Sequence, residues 1–426
     1  MSFNYETPEG MMGALLALEG IKDGCTIVHG PTGCKYCPSS SSEFAYTNRS
    51  KNDPQFCNPY RFFKKYYFGQ PRIPCTYLQE DDYIMGASEK LTDLSDIVKK
   101  DQPGFIGIVN SPGTSLIGED VGSITSDNIP ILGIETPGYS ESQCVGYQRT
   151  IIGILNLIKP ERIPKIDTVN ILGLSISHLN WEDDLEEMTS MLAICGISVC
   201  QNIGTGWDTA GIRRSADAEL NVMIFPEYGD NTADWYERIY GIPYLYSDSG
   251  APIGFKAVED WISEICRALD KDPTPALNKI KEKRILTAKT LLDMEAQHRL
   301  PTGRTFSIEA EGSMAYAITE FLYSYLGMIP VAIRTDSDGL WNSRIQKFVS
   351  SKGLTVSDDV FNTPTDVTIG SGNMVSAMMM RKMTLGGVDV TRPCRKMVKI
   401  EKEPIIGLSG TMRLLDQVLN ILWPRN

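Results

Sequence analysis

Short runs rich in Ile and Val recur along this chain, each closed by Gly, Pro or a polar turn and followed by a helix-length amphipathic stretch. The runs are CTIVHG (25–30), FIGIVN (105–110), IPILGIETPG (129–138), TVNILGLSIS (168–177), LNVMIFPE (220–227), IPVAIRT (329–335) and DVTIGSG (366–372). Strands this short and this apolar are buried on both faces, as in a parallel sheet, and parallel strands need crossovers long enough to be helices. The intervening segments fit that role. In NWEDDLEEMTSMLAICG (180–196), Trp181, Leu185, Met188, Met191 and Leu192 share one face, and SMAYAITEFLYSYLG (313–327) is closed by Gly327 in the C-cap manner. The fold expected is α/β, with three Rossmann-like doubly wound parallel-sheet domains.

A chain of 426 residues exceeds what one core ordinarily organises. Two seams stand out, the proline-bearing LIKPERIPKID (157–167) and the charged helical connection 270–304. They place the domains at 1–163, 164–285 and 286–403. The formal net charge of -12 argues against a nucleic-acid partner. No apolar stretch reaches the length of a membrane span, and the opening MSFNYETPEG has neither a basic region nor an apolar signal core. The expectation is a cytoplasmic protein with no membrane partner.

In that setting ten cysteines are not expected to form a disulfide framework. Cys25, Cys34, Cys37, Cys57 and Cys75 crowd the first 75 residues, whereas Cys144, Cys195, Cys200, Cys266 and Cys394 are scattered and read as small buried apolar residues. Histidine is limited to His29, His178 and His298, which excludes a histidine-rich metal site and leaves a Ser-His-Asp triad little to draw on.

The turn TIVHGPTGCKYCPSS (26–40) carries the most chemistry. A P-loop needs G-x-x-x-x-G-K-[ST], but Lys35 here follows Cys34 and Tyr36 stands where Ser or Thr would hold magnesium. GSGNMV (370–375) lacks the third glycine of a dinucleotide fingerprint, so nucleotide hydrolysis is assigned to another chain. Zinc wants four ligands; Cys34 and Cys37 make one knuckle, and Cys57 and Cys75 have no matching C-x-x-C. A redox C-x-x-C would open a helix, whereas Pro38 and the serine run 39–42 read as loop. Iron–sulfur clusters accept ligands from several loops and from two chains. Cys25 begins the strand that Cys34 follows and so sits at its far end. Cys37, Cys57 and Cys75 lie in the following loop and can converge with Cys34. The residues alone leave open a cluster, an incomplete zinc site and unligated thiols.

EGIKDGCTIVHGPTGCKYC (19–37) resembles the cluster-binding turn of nitrogenase component 1 subunits. Further stretches resemble the same family in the same order: QPRIPCTYLQEDDYIMGASEKL (70–91), IVNSPGTSLIGEDV (108–121), GIETPGYSESQCVGYQRTIIGIL (133–155), ELNVMIFPEYGDNTADWYERIYGIPYL (219–245) and EPIIGLSGTMRLLDQVLNILW (403–423). The resemblance implies three Rossmann-like domains around a metallocluster. Residues 1–163 would be the cluster-binding domain, with the closing segment 404–426 packing back on it. It also implies an ATP-dependent iron–sulfur reductase as partner, and pairing as a homodimer or as a heterotetramer with a paralogous subunit. Met85 would lie on the face that receives the reductase.

The departures refine this. The position of the family's cofactor cysteine is Phe225, and no histidine follows His298, so the resemblance does not extend to the nitrogenase cofactor or to dinitrogen reduction. Two of the family's bridging-cluster cysteines would fall near Thr7 or Pro8 and near Ser111 or Pro112, leaving Cys34 as the direct match. The implied ligands are Cys34, Cys37, Cys57 and Cys75, with Ser111 and Asp81 as oxygen alternatives, holding a 4Fe–4S or P-cluster-like iron–sulfur cluster. The implied function is a nitrogenase-like oxidoreductase subunit that relays electrons to a small organic substrate, similar to the enzymes that reduce tetrapyrroles. The alternatives are a metallocluster assembly scaffold and a non-catalytic supporting subunit. GTGWD (204–208), Arg213, Arg214 and Arg304 are candidates to line the substrate cleft, against their reading as ordinary loop residues and surface arginines. His29 is a candidate hydrogen-bond donor beside the turn or a satisfied core histidine, and no catalytic acid or base is assigned.

Overall fold

The computed structural model describes residues 9–35, 73–136, 141–335, 339–392, 394 and 401–423. Cys37, Cys57, Thr7 and Pro8 lie outside them. The first sheet is built from β1 (Gly24–His29), β2 (Phe105–Asn110) and β3 (Ile131–Glu135), parallel and in the order β1-β2-β3. Around it come α1 (Gly10–Glu19), α2 (Glu80–Met85), α3 (Ser88–Lys99), α4 (Pro112–Leu116) and α5 (Gln143–Ile158). Cys25, Ile27, Ile106 and Ile108 pack with Leu91 and Val98 of α3, each buried. Full burial of a side chain of this size contributes about 1.5–3 kcal/mol, which is why these strands tolerate no charge. Helix α1 lies directly on α5: a side chain at Gly13 would run into the Gln143 carbonyl and the Tyr147 amide.

The register sets the site. His29 pairs with Asn110, and Asn110 with Glu135, so the carboxyl ends of all three strands are level. On the other side of β1, the Val28 amide donates to Pro74 (2.9 Å) and the Thr76 amide donates back to Val28 (3.1 Å). Cys75 is thereby drawn alongside the strand that leads to Cys34.

The second sheet contains β4 (Thr168–Leu172), β5 (Ser198–Asn202), β6 (Leu220–Met223) and β7 (Tyr244–Leu245) in the order β5-β4-β6-β7. Its connections carry α6 (Trp181–Ile194), α7 (Thr209–Arg213) and α8 (Asp230–Tyr240), and α9 (Phe255–Ala268) follows it. Helix α10 (Thr274–Ala296) occupies the charged connection. The third sheet is parallel with order β11-β10-β8-β9, from β8 (Thr305–Ala310), β9 (Ile329–Thr335), β10 (Val367–Ser371) and β11 (Gly386–Thr391). Its helices are α11 (Gly312–Leu326), α12 (Leu340–Ser351) and α13 (Gly372–Met380), and α14 (Gly407–Leu422) closes the chain. The α/β class with three parallel sheets and flanking helices is as expected.

The chain divides into two compact units, one of Met1–Ser177, Cys200–Asn221 and Tyr228–Tyr244, the other of His178–Val199, Val222–Glu227 and Leu245–Asn426. In the second unit α14 packs against β11, α6 and α9. Among the described residues, no helix is long and apolar enough to cross a membrane.

Candidate functional site

The site is built at the carboxyl edge of the first sheet, where two turns meet. After β1 the chain passes through Gly30 and Pro31 into a helical turn over residues 32–35, and the Cys34 amide donates to the Pro31 carbonyl (3.2 Å). After β2, Ser111 opens α4 with Pro112 in its first turn, where the missing N–H costs nothing. The Ser111 amide donates to His29 (2.9 Å), and the Thr114 hydroxyl also reaches the His29 carbonyl (2.9 Å). A Cβ at Gly30 would lie 2.5 Å from Ser111 Oγ, so the two turns come this close only because residue 30 is glycine.

Cys34 is half-buried. Burial pushes its thiol up, the nearby Glu9 carboxylate adds to this, and the Ser111 hydrogen bond opposes it. Glu9 Oε2 is itself buried and has no hydrogen-bond partner among the described residues. Cys75 is 2% exposed; its Sγ donates to the Gly30 carbonyl (3.1 Å) and receives the Tyr77 amide (3.5 Å). Burial pushes this thiol up to about 11. The Tyr83 phenol is raised by burial, and the nearby Cys34 and Cys75 add to this. Lys35 is fully buried, with Nζ donating to the Tyr77 hydroxyl at 2.7 Å.

Behind the turn, the His29 ring is sealed from solvent. Its Nδ1 meets Thr76 Oγ1 at 3.1 Å, and Nε2 lies 3.9 Å from Glu119 Oε2 without a hydrogen bond. Burial holds this imidazole below its ordinary value, against the pull of Glu119, Glu135 and Asp82. Asn110 donates to both oxygens of Glu135 (3.0 Å each), completing a polar layer under the two turns.

Of the sequence-predicted ligands, the structure brings Cys34, Cys75 and Ser111 together. Cys37 and Cys57 lie outside the described residues. Asp81 is exposed in the first turn of α2. Cys25 sits at the far end of β1 inside the core, as expected. Glu9 and Tyr83 were not foreseen, since nothing local in sequence marks them; a search for acids and phenols next to the ends of paired strands would have raised them. The donor set of thiol, hydroxyl and an orphaned carboxylate oxygen fits a metal group. At Gly33 a Cβ would meet nothing within 4 Å among the described residues. No group of three His, Cys, Asp or Glu side chains converges on one point among the described residues.

In GTGWD, Gly204 packs beneath the Tyr147 hydroxyl, the Gly206 amide donates to Gly20 (2.9 Å) and Trp207 is buried, so the segment braces the loop after α1. Arg213 and Arg214 are exposed. Arg304 precedes β8, at the amino end of its sheet, and pairs with Asp366 at 3.4 Å. Phe225 is fully buried and stacks on His178, with ring centroids 4.2 Å apart. Ile84 and Met85 at the end of α2 are 80% and 84% exposed, an apolar pair open to solvent.

The family model for nitrogenase component 1 type oxidoreductases matches residues 10–422. The chain is 22% identical over 462 residues to the nitrogenase molybdenum-iron protein beta chain of Methanococcus maripaludis, covering 96% of this chain and 92% of that one. It is 23% identical over 354 residues to a light-independent protochlorophyllide reductase subunit from a Synechococcus species, covering 79% of this chain and 62% of that one. The corresponding protein of Rhodopseudomonas palustris is 30% identical over 178 residues, 38% of this chain and 33% of that one. The match thus spans less than two thirds of these protochlorophyllide reductase chains. A solved structure of nitrogenase Cp1 at pH 6.5 superimposes with a TM-score of 0.75 at 18% identity, covering 96% of this chain and 91% of that one, a likeness of fold. With the family model spanning nearly every residue, the chain belongs to the nitrogenase component 1 type oxidoreductases.

Proposed function

We propose that this chain is an electron-relaying subunit of a nitrogenase-like oxidoreductase. Cys34 anchors an iron–sulfur cluster, 4Fe–4S or P-cluster-like, with Cys37, Cys57 and Cys75 as the further sulfur ligands in this chain. The cluster lies at a subunit interface of a homodimer or of a heterotetramer with a paralogous subunit. The electron donor is an ATP-dependent iron–sulfur reductase and the acceptor a small organic substrate. The observation that supports this reading is the meeting of the Cys34 turn and the Ser111 turn at the carboxyl edge of a parallel sheet, where Gly30 lets them approach. When bound, such a cluster supplies one-electron transfer at low potential.

The chain's own residues do the rest. Gly30 lets the two turns close on each other, and the Tyr83 ring covers Gly113. Ile84 and Met85 offer an exposed apolar pair as the docking point for the reductase. The division into domains 1–163, 164–285 and 286–403 belongs to the same proposal, each carrying one of the three sheets. The hydrogen-bonded Cys75 thiol favours, as a second reading, an assembly scaffold or supporting subunit with fewer sulfur ligands. Electron paramagnetic resonance of dithionite-reduced, anaerobically purified protein separates them: a cluster signal lost in Cys34→Ala and reoxidised by an added organic acceptor supports the relay. A signal that no acceptor reoxidises supports the scaffold.

A further inference from the structure

Helix α10 (Thr274–Ala296) belongs to the second compact unit and packs there against α9 and α6. One stripe of the helix serves that packing: Ala276, Ile280 and Thr287 are buried, and Arg284, Leu291 and Met294 continue the stripe half-buried. Spacings of three and four residues keep these side chains on one face. A second stripe repeats the same spacing through Lys281, Ile285, Ala288, Leu292 and Glu295, and all five are exposed. It lies about a third of a turn around the helix from the first. Ile285 is 48% and Leu292 63% exposed. The period is that of a helix that lies along another helix.

The two ends of this second stripe carry opposite charge, Lys281 towards the amino end and Glu295 towards the carboxyl end. Arg284, on the packed stripe, pairs with Glu259 at 2.7 Å, whereas Lys281 and Glu295 form no ion pair among the described residues. A helix rises about 1.5 Å per residue, so Lys281 and Glu295 stand about 10.5 Å to either side of Ala288. Ile285 and Leu292 stand about 4.5 and about 6 Å from it, again on opposite sides. A two-fold axis through Ala288 therefore brings Lys281 level with Glu295 of a second copy, and Ile285 beside Leu292 of that copy, each contact occurring twice. A patch that complements its own two-fold image is what a closed dimer contact requires. Parallel pairing would instead set Lys281 on Lys281 and Glu295 on Glu295.

We propose that the exposed stripe of α10 is a self-association surface, on which a second copy of this chain docks with its own α10 antiparallel about Ala288. Ile285, Ala288 and Leu292 of both copies leave water together, which drives the contact. The two Lys281–Glu295 pairs fix its direction and register. The surface belongs to the second compact unit and the Cys34 turn to the first, so the inference goes beyond the redox reading and does not depend on it.

The test is sedimentation velocity of the full chain over a range of concentrations, for the wild type, Lys281→Glu, Glu295→Lys, the double reversal and Leu292→Glu. The wild type is expected to self-associate reversibly. Each single reversal turns two attractive pairs into two repulsive ones and is expected to weaken association about tenfold. The double reversal restores both pairs with their signs exchanged, and an equimolar mixture of the two single variants restores them between unlike copies. Both are expected to recover most of the wild-type association, and Leu292→Glu to abolish it. Every substituted side chain is exposed, so circular dichroism is expected to be unchanged throughout. The same ranking is expected in Cys34→Ala, where no cluster joins two copies. A wild type that stays monomeric, equal association in all variants, or a mixture no tighter than its separate components would each overturn the proposal. So would association that vanishes in Cys34→Ala, since the cluster and not this face would then join the copies. A chain that is monomeric alone but binds a paralogous chain, with Leu292→Glu weakening that complex, would assign the face to a different partner and overturn it as well.

Discussion

Asp184 on α6 gives a stability prediction with a definite sign. The residue is 1% exposed, and its carboxylate accepts the amides of Ile405 (2.6 Å) and Ile406 (3.1 Å), holding the segment that leads into α14. Its neighbours Asp183 and Glu187 bind the amides of Glu403 (2.7 Å) and Ser409 (2.8 Å) along the same segment. For Asp184, burial outweighs the two hydrogen bonds and pushes the carboxyl from 3.8 up to about 7, with Asp183 adding to the rise and Arg413 opposing it. The folded protein thus keeps a proton that the unfolded chain has released, and stability falls as pH rises through this interval. At about 1.4 kcal/mol per pH unit, the span from 3.8 to about 7 amounts to roughly 4 kcal/mol. Asparagine has the same shape and keeps an acceptor for both amides but carries no proton to lose. Urea unfolding of the wild type and Asp184→Asn at about pH 4 and about pH 8 isolates the effect, because other titrations cancel in the double difference. The variant is expected to be close to the wild type at the lower pH and more stable by a few kcal/mol at the higher one. A variant difference that is the same at both pH values, or that reverses sign, would refute the reasoning.

Gly30→Ala is expected to push the Ser111 turn away from β1, costing about 1–3 kcal/mol, since the added Cβ would stand 2.5 Å from Ser111 Oγ; chemical denaturation measures it, and an unchanged midpoint contradicts the geometry. Alkylation of Cys34 in iron-free protein near pH 8 tests the electrostatics of the site. Glu9→Gln removes a charge that raises the thiol and is expected to speed the reaction several-fold. Ser111→Ala removes a hydrogen bond that lowers it and is expected to slow the reaction. Equal rates in both variants would place neither side chain beside the sulfur.

Much of the fold was legible because the strands FIGIVN and IPVAIRT are continuous apolar runs, and both form over the residues expected. Helix α6 was legible from its apolar face, but the periodicity gave no hint that Asp183 and Asp184 are buried on it as well. Strands β5, β8 and β11 were missed. β8 is TFSIEA, with Ser307 and Glu309 buried, and β11 opens on two glycines, so neither reads as an apolar run. Position in a sheet, not hydrophobicity, makes them strands. Cys34 stood out because a Gly-Pro turn after an apolar strand is a local signal. Glu9 could not, since only the pairing of distant segments brings it to the sulfur.

The measurement that bears most directly on the account is iron and acid-labile sulfide per chain in anaerobically purified protein, with Cys34→Ala alongside. The account predicts about four irons and matching sulfide per cluster, lost in the variant while its fold is kept. Iron content equal in the two proteins, or no iron in either even with a paralogous partner chain present, would contradict it and leave Cys34 a packed thiol.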